Sequence, residues 1–375
     1  MPDRSDRDYM KRALRLARKG KGKTSPNPLV GAVVVKKGVV VGEGYHPFPG
    51  QPHAEALALA EAGKRAAGAT LYINLEPCCH TNKRTPPCVD AILRSGVRKV
   101  VAAMIDPNPL VSGKGFEALR RGGLEVGEDL LRPEAERLNE IYIKYITTGR
   151  PFVILKTAMT LDGRIATAKG ESRWVTGEAA RREVHRLRSE VDAVMVGIGT
   201  VLADDPMLIP RIKGAKNPLR VIVDPRLKTP LHARAISTLS DAPTLLVTTA
   251  EAPSQRIKEF RKKGAQVEIF PQIDGKIGFP AILERLGKSG IASVLIEGGG
   301  TLNGMALRAG VVDRAIFFIA PKLLLGDDAK SVIAGRSIER LSEALRLVNL
   351  KVRRIGEDIR VEGDIQKSAG GGGFE

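Results

Sequence analysis

The segments "HAEALALAEAG" (residues 53–63) and "LEPCCHTNKRTPPC" (residues 75–88) hold all three cysteines of the 375-residue chain and two of its five histidines. His53 and Glu55 stand two apart where a loop enters a helical stretch, and Cys78 follows Pro77 after a predicted strand, near a predicted helix start. Thiolates are stabilised at positive helix ends, and one imidazole with two thiolates suits Zn²⁺, leaving a fourth position open for water. A metal-activated water needs a proton shuttle, and Glu55 is placed to serve without ligating the metal. The second thiolate is either Cys88, which can swing back across the "TPP" loop, or Cys79, whose adjacency to Cys78 strains the geometry. A closed structural site with His80 as fourth ligand is the bland alternative.

Working outward, 375 residues exceed one ordinary hydrophobic core, and 43% apolar residues suffice for two. The seam falls in "YITTGRPFVILK" (145–156), where the helical "RPEAERLNEIYIKYI" ends at Gly149 and a new apolar strand follows Pro151. Residues 1–149 and 150–367 are therefore expected to be two α/β domains, with "SAGGGGFE" (368–375) a disordered tail. Strands are predicted at Leu29–Val35, Val39–Gly42, Thr70–Asn74 and Lys99–Met104 in the first. In the second they are predicted around Phe152–Thr157, Ala193–Val196, Leu219–Val223, Thr244–Thr248 and Ser293–Glu297. Helices are predicted at His53–Ala62 and Pro87–Arg94.

The formal charge of +18 is spread evenly, each half carrying an excess of nine bases. Its one dense run, Lys11 to Lys23, lies on a segment whose Tyr9, Ala13, Leu16 and Ala17 form one helical stripe, and reads as a solvated face. An anionic phosphate-bearing substrate would be drawn by such a field. Two adjacent cysteines in a set of three suit a reducing cytosol, and the N-terminus lacks an apolar signal core. A soluble cytoplasmic protein is expected, with neither a membrane nor a nucleic acid as partner.

The pattern His53-Ala54-Glu55 followed by Pro77-Cys78 resembles the zinc nucleobase deaminases, whose signature is H-x-E with P-C-x-x-C. Thr81 occupies the place of the second cysteine. Four ordered motifs narrow the resemblance: "SPNPLVGAVVV", "GYHPFPGQPHAEALAL", "LEPCCHTNKRTPPC" and "DPNPLVSGKGFEAL". Together they resemble the deaminase half of the bifunctional riboflavin-biosynthesis deaminase/reductase family. The resemblance implies His53, Cys78 and Cys88 as zinc ligands, Glu55 as the catalytic residue and Asn27 as a contact to the pyrimidine edge. Asn27 is equally a turn-former.

In the second half, "VLIEGGGTLNGMAL" (294–307) reads as a strand, a glycine turn and a helix that could receive dinucleotide phosphates. It is not G-x-G-x-x-G and lies late in its domain, which argues against a Rossmann first turn. "LKTAMTLDGRIATAKGESRWVTGEAAR" and "VGIGTVLADDPMLIPR" resemble the reductase half of the same family, which implies a dihydrofolate-reductase-like fold and NADPH. On that resemblance Ala158 (or its neighbour Met159), Trp174, Thr200, Asp204, Gly299, Gly300, Thr301, Leu302, Asn303, Gly304 and Met305 surround the cofactor. Ser172, Arg188, Leu208, Arg211 and Glu297 face the substrate. Lys156 joins Asp204 in orienting the ribosyl chain, and Arg188 and Arg211 suit a ribose 5-phosphate by charge-assisted forks.

The resemblance implies two consecutive steps on a phosphorylated pyrimidine; a homo-oligomer is expected. Water attacks C2 of 2,5-diamino-6-(5-phosphoribosylamino)pyrimidin-4-one and ammonia leaves, with Glu55 relaying protons. NADPH then reduces the ribosyl group to ribityl. A tRNA adenosine deaminase, an enzyme with one half degenerate, and a zinc-stapled scaffold are the rival readings.

Overall fold

The computed structural model describes residues 4–81, 86–273 and 276–366. The expected tail 368–375 lies outside them. The chain divides into two compact units, Met1–Gly149 and Arg150–Glu375.

The first unit runs α1 (Arg4–Ala17), β1 (Gly31–Lys36), β2 (Val39–Tyr45), α2 (Ala54–Ala62), β3 (Thr70–Ile73), α3 (Cys88–Arg94), β4 (Lys99–Ala102), α4 (Lys114–Arg121), β5 (Glu125–Gly127) and α5 (Arg132–Thr148). Its sheet has the order β2-β1-β3-β4-β5. The β1 strand is antiparallel to β2 and β3, and β3, β4 and β5 are parallel. Valines 33 and 34, Leu71, Ile73 and Val100 are fully buried, the continuous apolar run of strands covered on both faces. Helices reach this sheet through glycine. A Cβ on Gly42 would lie 2.2 Å from the Ala58 carbonyl oxygen, and one on Gly44 2.4 Å from that of Ala54, so α2 rests directly on the β2 backbone. That contact fixes where α2 begins.

The second unit comprises β6 (Phe152–Thr160), β7 (Arg164–Ala166), α6 (Glu178–Glu190), β8 (Ala193–Gly197), α7 (Ile198–Asp204), β9 (Leu219–Val223), α8 (Arg234–Ser237), β10 (Thr244–Thr248), α9 (Ser254–Lys262) and β11 (Gln266–Ile269). It continues with the hairpin β12–β13 (Gln272–Ile273, Lys276–Ile277), α10 (Phe279–Lys288), β14 (Ser293–Ile296), α11 (Gly300–Arg308), β15 (Arg314–Ala320), β16 (Lys330–Ser331), β17 (Leu347–Ile355) and β18 (Asp358–Ile365). Nine strands form one sheet in the order β11-β10-β9-β8-β14-β6-β15-β18-β17. From β11 to β15 the neighbours are parallel; β18 and β17 close the edge antiparallel. The sheet order places β14, late in the chain, between β8 and β6, and such a switch in strand order opens a crevice at the carboxyl ends of the strands.

The predicted strands all lie on observed ones, but β2 runs on to Tyr45 and the antiparallel edge was not foreseen. The expected stripe on α1 is buried at Ala13 and Ala17, while Arg12 on its outer face pairs with Glu43 at 2.9 Å. No helix among the described residues is long and apolar enough to cross a membrane.

Candidate active sites

In the first unit, His53 caps the start of α2 and Cys88 opens α3. Cys78 sits in the loop after β3, not at a helix start as the sequence suggested. The helix end comes to it instead: the N–H groups of Cys88 and Val89 donate to the Cys78 carbonyl at 3.0 and 3.3 Å. This backbone clasp brings the two thiols together. His53 Nδ1 lies 3.2 Å from Cys88 Sγ and 3.5 Å from Cys78 Sγ, and the three donor atoms fall within 4.8 Å of one another. One imidazole and two thiols converging at that distance fit a tetrahedral zinc ion with one position open. Neither Cys79 nor His80 joins the group, and Cys79 packs against the core.

Glu55, in the first turn of α2, is 3% exposed and its Oε2 is buried with no hydrogen-bond partner. Burial, reinforced by Cys78, pushes its pKa up. A carboxylate left unsatisfied beside a metal-binding triad is a group awaiting a proton or a polar ligand.

The surrounding wall contains residues that the sequence reading did not single out. Asn27 Nδ2 is 3.2 Å from His46 Nε2, and the His46 ring meets that of His53 edge-on at 5.2 Å between centroids. The backbone beyond the "SPNP" turn is held by two buried asparagines. Asn139 Oδ1 and Nδ2 grip the N–H and C=O of Leu29 at 2.8 and 3.0 Å, and Asn74 accepts from Gly31 N–H at 2.7 Å. Glu76, just ahead of Pro77-Cys78, accepts the N–H groups of Asp106, Gly113, Gly115 and Phe116. One buried carboxylate thus ties the "LEPC" and "DPNP…GKGF" motifs together. Asp106 accepts from the Tyr142 hydroxyl at 2.8 Å, and burial pushes its pKa up to about 6. Asp106 and Glu76 were visible inside quoted motifs; Asn139 and Tyr142, far along the chain, carried no local signal.

The second unit holds a cleft of ≈ 1650 Å³ at the carboxyl ends of β6, β8, β9 and β14. Drug-sized ligands occupy pockets of roughly 300–1,000 Å³, so this one has room for a dinucleotide and a second molecule. Glu297, at the end of β14, receives Lys156 Nζ at 3.1 Å and the Arg188 fork at 2.7 and 2.9 Å. Its side chain is 5% exposed. Burial alone would raise its pKa, but Arg188 and Lys156 overcome it and hold the carboxyl at about 2. Ser172 Oγ donates to Asp204 Oδ1 at 2.6 Å. Trp174, 59% exposed, carries the Arg181 guanidinium 4.6 Å from its ring centroid, so it is a wall residue and not a core filler.

Among residues predicted for this site, Lys156, Ala158, Ser172, Trp174, Arg188, Thr200, Asp204, Leu208, Arg211, Glu297, Gly299, Gly300, Thr301, Leu302 and Met305 line the cleft. Met159 does not. Asn303 and Gly304 are not among the lining residues: Asn303 Nδ2 donates to Val332 O at 2.9 Å and a Cβ on Gly304 would stand 2.1 Å from Ala334 O, so both pack against the segment 332–334. His185, one helical turn before Arg188, lines it unforeseen, its pKa lowered by burial, Arg188 and Arg211.

A His-Cys-Cys metal centre with a buried carboxylate in one unit, and a dinucleotide-sized cleft in the other, define a deaminase joined to a reductase. Residues 3–104 match the cytidine and deoxycytidylate deaminase zinc-binding region, and residues 151–361 match the RibD C-terminal domain. The chain is 45% identical to the riboflavin biosynthesis protein RibD of Actinobacillus pleuropneumoniae, covering 96% of this chain and 95% of that one. It is 46% identical to the RibD of Aquifex aeolicus, covering 94% and 97%. The solved structure of Acinetobacter baumannii RibD, form 1, superposes with a TM-score of 0.87 at 39% identity over 97% of this chain and 99% of that one. A diaminohydroxyphosphoribosylaminopyrimidine deaminase/5-amino-6-(5-phosphoribosylamino)uracil reductase of Thermotoga maritima does so with 0.84 at 37% identity, over 96% and 99%. The chain belongs to the RibD family: a bifunctional deaminase and reductase of riboflavin biosynthesis that uses zinc and NADPH.

Proposed function

We propose that residues 1–149 deaminate 2,5-diamino-6-(5-phosphoribosylamino)pyrimidin-4-one and that residues 150–367 then reduce its ribosyl group. The observation that carries the first step is the buried, unsatisfied Glu55 carboxylate two residues from a His53–Cys78–Cys88 donor set. Zinc held by His53, Cys78 and Cys88 would supply Lewis-acid activation of a water. Glu55 accepts the proton of that water at its free carboxylate oxygen and returns it to the amine leaving from C2. Asn27, steadied by His46, presents its amide to the pyrimidine edge.

The second step needs orientation more than new covalent chemistry, since the dinucleotide supplies the hydride. Glu297 holds Lys156 and Arg188 in fixed positions on the cleft wall, and Ser172 steadies Asp204. Lys156 and Asp204 then orient the ribosyl chain, with Arg188 and Arg211 toward its 5-phosphate. Thr200, Trp174 and the first turn of α11 face the cofactor. Two adjacent cysteines in a set of three suit a reducing medium, and we place the enzyme in the cytosol. We read its working form as a homo-oligomer without a nucleic-acid partner, which light scattering of the purified protein tests directly.

The test is mass spectrometry of the diamino substrate after incubation with zinc-loaded protein, with and without NADPH. Ammonia loss without NADPH, followed by a two-hydrogen gain only when NADPH is present, is the expected result. No change in either arm, with metal and fold intact, would overturn the substrate assignment.

A further inference from the structure

The sequence offers so many basic residues that none stands out as the one to distinguish NADPH from NADH. The cleft reduces the choice. Among the described residues, four cations on its wall have no carboxylate partner: Arg181, Arg211, Arg234 and Lys330. Arg181 is already engaged, donating to Thr176 O at 2.8 Å and stacking on Trp174. Arg211 goes to the substrate phosphate in the reading above. Lys330 adjoins Ser331, whose carbonyl oxygen lies against Gly300 at the start of α11. Arg234 is left, at the start of α8, lining the same cleft as Val223 and Pro225 at the end of β9.

Three features set Arg234 apart from an ordinary surface arginine. Its backbone is anchored from within the site: its N–H donates to Asp205 Oδ1 at 2.7 Å, and Asp205 ends α7, whose Thr200 and Asp204 face the cleft. Its guanidinium takes no part in that anchorage, so the full fork of donors is available to an anion. Its location also matches the length of the cofactor. In the sheet order β9-β8-β14-β6, β9 is three positions from β6, roughly 14 Å at ordinary strand spacing. A dinucleotide with its nicotinamide at the Lys156–Glu297 end would have the length to bring its adenosine ribose toward β9.

We propose that Arg234 binds the 2′-phosphate of NADPH and is the residue that separates NADPH from NADH. This rests on the reductase reading above. An arginine fork on a phosphate dianion is lost entirely with NADH, so its contribution falls on one dinucleotide and not the other.

The experiment measures dissociation constants of NADPH and NADH for the full-length protein and for Arg234→Ala, Arg234→Lys and Lys330→Ala, by quenching or enhancement of dinucleotide fluorescence. Arg234→Ala should weaken NADPH by about tenfold or more while moving NADH less than twofold. Arg234→Lys should restore part of the NADPH affinity, and added salt should erode the preference in the unaltered protein but not in Arg234→Ala. Equal shifts for both dinucleotides, no shift at all, or loss of the preference in Lys330→Ala alone would overturn the assignment. Failure of the unaltered protein to bind either dinucleotide would instead strike the reductase reading itself.

Discussion

Glu55 and Glu297 are both almost fully buried carboxylates at the centre of a site, but their surroundings are opposite. Glu55 keeps one oxygen without a partner beside a metal-binding triad, whereas Glu297 is saturated by Lys156 and by both arms of Arg188. On the proposed function the first is the working group, costly to bury and left free to exchange a proton. The second is a structural counter-ion whose task is to keep two cations in place. Burial alone therefore does not distinguish a catalytic acid from a positioning one; the count of satisfied oxygens does.

The largest effect should come from removing the working group. Glu55→Gln is expected to slow ammonia release by about 10²–10⁴-fold while leaving NADPH-dependent reduction of the deaminated intermediate intact. Chelation of zinc should do the same, and each activity is read separately by ammonia and NADPH assays. Loss of both activities together would break the contrast.

Removing the counter-ion should act on stability as well as rate. Glu297→Ala leaves Lys156 and Arg188 buried without their partner and should destabilise the second unit by about 3–5 kcal/mol, read by hydrogen exchange in β14 and α6. Its acid dependence has a definite sign. The Glu297 pKa is depressed from 4.5 to about 2, so the stability it supplies is complete above 4.5 and lost as pH falls toward 2. Asp106 behaves oppositely. Raised from 3.8 to about 6, it favours the folded state most below 3.8, and that advantage is lost as pH rises through 6. Asp106→Asn should flatten this slope in the first unit and leave the second unchanged, as exchange rates measured across that window will show.

Smaller effects probe the scaffold. Gly42→Ala places a methyl 2.2 Å from the Ala58 carbonyl and should cost about 1–3 kcal/mol in the first unit, with weaker zinc retention because α2 carries His53. Urea denaturation and metal analysis check the two parts. Arg12→Ala, breaking an exposed pair with Glu43, should cost under about 1 kcal/mol in the same urea assay. It should leave both activities unchanged, in keeping with a solvated face.

The metal centre was legible because its donors are rare residue types within a 36-residue window. The cleft was legible only through whole-segment resemblance, since lysines, arginines and glycines are common and their convergence depends on nine strands being ordered correctly. Asn303 and Gly304 show the same limit, because a contiguous motif gives no account of which of its residues pack against the rest of the protein. His46 and Asp106 lay inside recognised motifs without a reason to be chosen. Asn139 could be found only in three dimensions.

That last residue bears on how the molecule is made. The grip of Asn139 on Leu29 spans 110 positions of the chain and comes from α5, beyond the stretch that matches the zinc-binding region. During synthesis the metal donors and Asn74 are all available before α5 emerges, whereas the second clamp on the backbone beyond Asn27 is added only afterwards. On the proposed function, the donors of the metal centre therefore precede the full clamp on the recognition turn in order of synthesis, and a fragment stopped ahead of α5 would keep His53, Cys78 and Cys88 but lose the Asn139 grip.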